Sequence, residues 1–468
     1  MSEFPKKATK LSEVAAAVSL SPVESGDPRY VDMSAGRGGS KDLTLMRRCL
    51  EDHNARDNHF AKIAFTGHRG SGKSTELLRL EHEISGEFTS LHLYVDKTLL
   101  GDYDYTDLLL WLVDELVREF EKAGTPINPE LAEEVATWFA EVTLGQIDLV
   151  KSEVMAEAEA KAEGKAGFFW LSLGLMARLK SMVAGSTEHR KEIRTKLKNK
   201  SSELIARVNL LLDDAYRVLD KHKKPANLLI VVDNLDQLLP EVSGPLFFEN
   251  GGFLKQLRAH VIYTVPIASV LAPRNIGLIF ENKFTLSMVK VHDESGKIAK
   301  MGVDAMVETI AKRVEIDSIF AKKQDVRKLA QMSGGSVRDL MRLVQIAQLF
   351  ARVDDKDKID AASVKQAIRK IRLDFERMLI PGRVYYPLLV QIHLVKSDVA
   401  DGLEGSEPQK VQSYRDFFSE LLFNGSVLEY NGERMWYDVH PMIQEIEAFK
   451  KALKHVQSPS QDKTRSPG

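Results

Sequence analysis

Apolar residues recur along this chain in two alternating rhythms. Short runs at 61–65, 91–95 (LHLYV), 228–232 (LLIVV) and 261–265 (VIYTV) read as buried strands, and 284–291 (FTLSMVKV) as one more. Between them, 74–84 and 105–120 (YTDLLLWLVDELVREF) repeat apolar positions on one helical face. Strand alternating with helix predicts a parallel sheet with helices on its faces. A stretch at 130–219 interrupts the alternation with helical spacing throughout, including an Ala/Glu/Lys segment at 154–165 and a long amphipathic stretch at 188–219. From 303 to 379 every segment is again helical in spacing. The last region predicts helices near 385–395 and 413–423, then two short strands within 425–439 (GSVLEYNGERMWYDV). These strands flank Asn431-Gly432, a pair that favours the positive backbone angles of a tight hairpin turn.

The fold class expected is therefore α/β, with a parallel sheet domain at 29–300 that carries a large helical insert at about 130–219. A helical lid follows at 301–380, then a domain at 381–455 whose helices and hairpin resemble a winged helix. Residues 1–28 and 456–468 are rich in Pro, Ser and charge without lasting periodicity, and are expected to be flexible tails. No internal repeat is visible. A length of 468 residues suits two or three domains. A formal charge of -2 supplies no global pull toward nucleic acid, so any DNA contact needs a local patch. Cys49 stands alone, which excludes an intramolecular disulfide and a cysteine zinc cluster and suits a reducing, cytoplasmic location. The first 20 residues lack the apolar core of a secretory signal. No stretch reaches the roughly 20 apolar residues of a spanning helix; 166–177 (AGFFWLSLGLMA) stops at Arg178 and Lys180 and reads as a buried or partner-facing helix, with no membrane insertion expected.

The chemistry enters at Gly67-His68-Arg69-Gly70-Ser71-Gly72-Lys73-Ser74, which satisfies G-x-x-x-x-G-K-[ST] in full and is followed by Thr75. Phosphates require close approach of several backbone N–H groups, which glycine permits, and the helix that follows directs its positive end at the same charge. Lys73 is placed to reach the β- and γ-phosphates and Ser74 to offer its hydroxyl to Mg²⁺. A glycine turn that binds nothing is the bland alternative, and the strand before, the helix after and the lysine at its spacing argue against it. A second carboxylate must hold the metal, and Asp233, ending the aliphatic run at 228–232, supplies it. The cofactors expected are ATP and Mg²⁺.

At these residues, and at Val231-Val232-Asp233-Asn234-Leu235-Asp236, the chain resembles the AAA+ and STAND ATPases, especially their initiator-like, origin-recognition-like branch with a terminal winged helix. In domain order the resemblance covers most of 30–450. It implies an ATPase that converts ATP and water to ADP and phosphate. Where many members carry an acidic residue after the metal-binding aspartate, this chain has Asn234, which cannot act as a base; Asp236 is the substitute candidate, with a capping aspartate nearly as good a reading. Slow hydrolysis follows. Gly36-Arg37 resembles the G-R element bordering the adenine pocket, an ordinary loop arginine being an equal contender. Thr264 falls where a polar sensor of the γ-phosphate is expected, although a packing hydroxyl would look the same. Gly334-Gly335-Ser336-Val337-Arg338-Asp339-Leu340 resembles the second sensor, with Arg338 as the γ-phosphate contact and Arg342 as fallback; Arg274 is a candidate arginine finger. Met332-Ser333-Gly334-Gly335 is similar to an ABC signature but follows Asp233 rather than preceding it, which excludes that family. A small-molecule kinase would not need the lid and the hairpin.

Three readings remain. The first is an ATP-driven conformational or assembly switch, of the kind the resemblance places in bacterial signalling or defence, with a protein partner or homo-oligomer. The second is an initiator-like or mobile-element ATPase that positions partner proteins on DNA through the winged-helix-like domain, where Arg434 and 450–454 could meet phosphates. The third is a nucleotide-binding scaffold without turnover. The basic run at 189–200 (HRKEIRTKLKNK) is either a nucleic-acid contact or, more usually, a solvated face. Tyr430, Trp436 and Tyr437 either stack on a partner or form the hairpin's own core.

Overall fold

The computed structural model of the protein describes residues 4–39, 41–53, 58–144, 151–154, 156, 168–271, 275–379, 385–398 and 408–457. Arg274, the 157–165 part of the Ala/Glu/Lys segment and the terminal stretch 458–468 lie outside the described residues. The chain forms two compact units, one of 44–66 and 79–284, the other of 1–43, 67–78 and 285–468. Residues 67–78, which include the glycine loop, fall in the unit that holds the lid and the hairpin.

The unit of 44–66 and 79–284 holds the sheet, with strands β1 (Lys62–Thr66), β2 (Phe88–Tyr94), β3 (Asn227–Asp233), β4 (His260–Val265) and β5 (Asn282–Thr285) in the order β2-β3-β4-β1-β5. The pairs β1–β4, β3–β4 and β2–β3 are parallel. Every residue of β1 and β4 is buried, as is β3 beyond Asn227, which is why their sequences are continuous aliphatic runs rather than alternating ones. The strand expected at 284–291 is shorter and earlier: the ladder ends at Thr285. Beyond it, Met288 N–H bonds the Glu429 carbonyl and Lys290 N–H bonds the Gly36 carbonyl, so those backbone groups are satisfied by irregular partners instead of a neighbouring strand.

The helix Tyr105–Lys122 is capped by Asp104, whose carboxylate accepts the Thr106 N–H. The insert is helical as expected, in Pro129–Leu144, Phe168–Gly185, Thr187–Lys198 and Ser201–Lys221. Leu175, Met176, Leu179 and Val183 of Phe168–Gly185 are buried, and among the described residues no helix is long and apolar enough to cross a membrane. The basic run is split: Lys191, Lys198 and Lys200 lie on an exposed face, and Arg190 and Arg194 turn inward. Arg190 and Arg194 are buried and bonded to Asp102 at 3.0 and 2.6 Å, Arg194 also pairs with Asp107, and Lys198 meets Asp104 at 2.6 Å. These cations hold the insert to the start of the helix Tyr105–Lys122.

The other unit contains the predicted helical lid, Lys300–Ala311, Ile316–Ile319, Lys323–Met332, Val337–Val353 and Ala361–Met378. The expected N-terminal flexible tail is corrected over its described part. A helix at Leu11–Ala17 packs on Val337–Val353, burying Ala8, Leu11, Val14, Ala17 and Val18, and Gln345 Nε2 donates to the Val18 carbonyl at 3.0 Å. Two turns of helix are too short to stand out as periodicity, but long enough to cover an apolar stripe. At the other end, the helix Glu447–Gln457 reaches into the stretch expected to be a tail at 456–468.

The winged-helix-like region has helices Tyr385–Val395 and Pro408–Phe423 and the antiparallel hairpin β6 (Val427–Tyr430) and β7 (Trp436–Val439). Its turn departs from expectation. The closing pair is Tyr430–Trp436, with rings stacked at 4.6 Å, so five residues make the connection, and neither Asn431 nor Gly432 takes a positive φ. Tyr430 and Trp436 are buried in a small core with Met288 and Leu428, and Tyr437, also buried, meets Phe418 of the helix Pro408–Phe423 edge-on at 5.1 Å.

Candidate nucleotide site

The glycine loop begins where β1 ends, at Thr66, and gives way to the helix Lys73–Glu83. Its three motif glycines all carry positive φ, +149° at Gly67, +83° at Gly70 and +102° at Gly72, a curl that side-chain-bearing residues resist. Space imposes the same choice: a Cβ at Gly67 would lie 2.5 Å from the Leu286 carbonyl oxygen. Lys73 is buried and its ammonium donates to the Gly67 and His68 carbonyls at 2.7 and 2.9 Å, so the cation sits inside the curl. Ser71 is fully buried, and Ser74 and Thr75 are half-buried. The Thr75 hydroxyl accepts the Val23 N–H at 3.2 Å, tying the N-terminal segment to the loop.

Three structures brace this loop. Arg37 is buried and its guanidinium donates to the Ser71 carbonyl at 2.6 Å and to the Ser287 carbonyl, so it is a clamp on the loop and not an open loop arginine. His68 is buried too, and its Nε2 accepts the Glu429 N–H of β6 at 2.8 Å. Burial, with the Lys73 charge beside it, pushes this imidazole down to about 3, which keeps it neutral and able to accept. Arg69 lies over the Phe423 ring at 5.0 Å. The lid supplies the third brace. Val337 N–H bonds the Gly70 carbonyl at 3.0 Å, and a Cβ at Gly70 would lie 2.5 Å from Ser336 Oγ and 2.8 Å from Arg338 Cβ.

That contact separates the two sensor candidates. Arg342 is paired with Asp339 at 3.5 Å and Asp374 at 3.7 Å. Arg338 is exposed and makes no ion pair among the described residues. Ser336 caps the helix, its Oγ accepting the Asp339 N–H at 3.1 Å. His68, Arg69, Arg338 and Phe423 line a cleft of about 310 Å³ on the lid side of the loop.

The aspartate side of the motif lies on the sheet. Register pairs Phe65 of β1 with Thr264 of β4 and Val232 of β3 with Tyr263, so Asp233 ends its strand at the level of Thr264, two strands from β1. At the ordinary strand spacing, two steps make about 10 Å. Asp233 is buried, its Oδ1 accepts the Asn234 N–H at 2.7 Å, and His92 Nε2 stands 3.7 Å from Oδ2. His92 Nδ1 meets Glu81 at 2.8 Å; burial opposes its protonation, yet the two carboxylates push the imidazole up to about 9. The chain leaves β3 through Asn234 at φ +72°, a left-handed angle asparagine tolerates, into the short turn Leu235–Gln237 that buries Asp236. The Thr264 hydroxyl is buried and donates to the Val232 carbonyl at 3.3 Å, the local satisfaction expected of a packing residue.

Of the cations considered for DNA, Arg434 pairs with Glu294 and Lys450 with Glu445, both on exposed surface, and Lys451 and Lys454 are exposed. His92 and the bracing contacts of His68 and Arg37, two residues the sequence itself singles out, leave no spacing signature because each reaches residues distant along the chain.

No family model matches the chain, and no curated protein does. Solved structures do. They include Cdc6p from Pyrobaculum aerophilum, 12% identical over 94% of this chain and 98% of that one at a TM-score of 0.38. The ORC2 protein of Aeropyrum pernix in its ADPNP–ADP complexes is 10% identical over 94% and 98% at 0.41. The ORC1 protein of Aeropyrum pernix in complex with DNA is 15% identical over 96% and 98% at 0.37. The likeness to these structures runs over most of the chain's length at low identity, and the roles of its residues rest on their own chemistry.

Proposed function

We propose that the chain is a Mg-ATP-binding switch that hydrolyses ATP slowly. Lys73 and the loop amides take the phosphates, and Ser74 and Asp233 take the metal. One hydroxyl and one carboxylate are the oxygen donors a hard cation uses when it keeps several waters. Bound magnesium would neutralise charge on the β- and γ-phosphates. The observation that carries the reading is the loop itself: three left-handed glycines curl around a buried lysine while the first turn of a lid helix is seated on Gly70. Arg338, on that turn and without an ion pair among the described residues, is the cation placed to answer a γ-phosphate. Closure of the lid on nucleotide then promotes assembly or exposes a partner surface.

Asp236 is the proposed base for the attacking water, since the Asn234 amide has no proton affinity for that role. Phosphate release by the purified chain tests this. Release that is lost in Lys73→Ala and Asp236→Asn supports the switch with turnover, and nucleotide binding without release in the unmodified chain contradicts it. Mass measurement with and without a non-hydrolysable ATP analogue tests the assembly arm, the expected result being a larger species with the analogue.

A further inference from the structure

A histidine of the phosphate loop holds the hairpin. β6 pairs with β7 on one side, and its other side presents Glu429 outward. There the Glu429 N–H is accepted by His68 Nε2 at 2.8 Å, and the Glu429 carbonyl accepts the Met288 N–H at 3.2 Å. An edge strand whose backbone groups are buried needs such partners. An imidazole can accept at Nε2 only when Nδ1 carries the proton, so the link requires one neutral tautomer.

The same residue is held from the loop side, because the His68 carbonyl is one of the two that Lys73 occupies. Resting on the reading of this loop as a phosphate site, we propose that His68 transmits nucleotide occupancy to the hairpin. When Lys73 turns to phosphate oxygens the His68 carbonyl keeps only the Ser71 N–H, at 3.2 Å, the His68 peptide shifts, and the ring's hold on the Glu429 N–H loosens. The hairpin edge is thereby released in the nucleotide-bound state. His68 acts here as a positioning residue, through the Glu429 amide.

Amide hydrogen exchange on the full chain reads this bond directly, with Mg²⁺ and a non-hydrolysable ATP analogue either absent or saturating for each variant. In the unmodified chain the analogue is expected to speed exchange of the Glu429 amide by about fivefold or more. In His68→Ala that amide exchanges fast in both states. His68→Gln, whose Oε1 can accept near the Nε2 position, restores the response; a ring needed only for packing would leave it as insensitive as alanine, which overturns the link. The unmodified chain decides the matter even if a variant fails to fold. If it binds the analogue and Glu429 exchanges at one rate in both states, the link falls and the phosphate site stands. If parallel titration shows no nucleotide uptake, the phosphate site falls and the link with it.

Discussion

Lys73 shows how one residue carries two states. Its ammonium donates to the Gly67 and His68 carbonyls, neutral acceptors that ATP would replace with charged phosphate oxygens, which bind an ammonium more strongly. Lys73→Ala removes a charge-assisted contact of about 2–3 kcal/mol and is expected to weaken ATP by roughly 30-fold or more, read by fluorescence titration with a labelled nucleotide. The sensor assignment is tested the same way. Arg338→Ala should weaken the triphosphate more than the diphosphate, whereas Arg342→Ala, already paired with Asp339 and Asp374, should change both little. Equal effects of the two substitutions would remove Arg338 from the role.

At the scale of elements, the lid turn offers the sharpest packing test. Gly335 has φ +84°, and a Cβ there would lie 1.8 Å from the Val289 carbonyl oxygen, a collision with backbone that no rotamer relieves. Gly335→Ala should therefore destabilise by about 2 kcal/mol or more, seen as a lowered denaturant midpoint, and a midpoint within error of the unmodified chain would contradict the account. The elements themselves were legible where the physics is local. Aliphatic runs marked β1, β3 and β4 because both faces of those strands are buried, alternation marked β2, which buries one face, and helical spacing marked the insert and the lid. The phosphate loop was legible because its glycines answer a local demand of the backbone. The rest was not, because its determinants are distant. The docking of Leu11–Ala17 depends on a stripe of Val337–Val353, the early end of β5 on partners at Gly36 and Glu429, and the fate of the basic run on Asp102 and Asp107. The hairpin turn misled for a similar reason: the Tyr430–Trp436 stack sets the register, and Asn431-Gly432 falls inside a longer loop.

For the molecule as a whole, buried neutral histidines make acid a specific stress. Burial pushes His68 and His260 down to about 3 and His440 to about 4. Lys73 faces His68, Lys62 and two histidines face His260, and Asp339 lies 3.9 Å from His440. The folded chain thus binds fewer protons than the unfolded one between these values and the ordinary histidine range. The stability carried by these three histidines is complete above about pH 6.5 and falls as pH drops toward the folded values, with a slope of up to about 1.4 kcal/mol per pH unit for each, while His92, pushed up to about 9, acts in the opposite sense. Denaturant midpoints at pH 7.5 and 5 should show the loss, and replacing His440 with an apolar residue should shrink it; a midpoint unchanged between the two values would contradict this account.

The central claim is that Lys73, Ser74 and Asp233 serve a single magnesium-triphosphate. Calorimetric titration of ATP with and without Mg²⁺ tests it most directly, using the unmodified chain beside Asp233→Asn. The account predicts one nucleotide per chain, bound more tightly with Mg²⁺, and a metal enhancement that disappears in Asp233→Asn. Absence of ATP binding, or the same enhancement in both proteins, would contradict it.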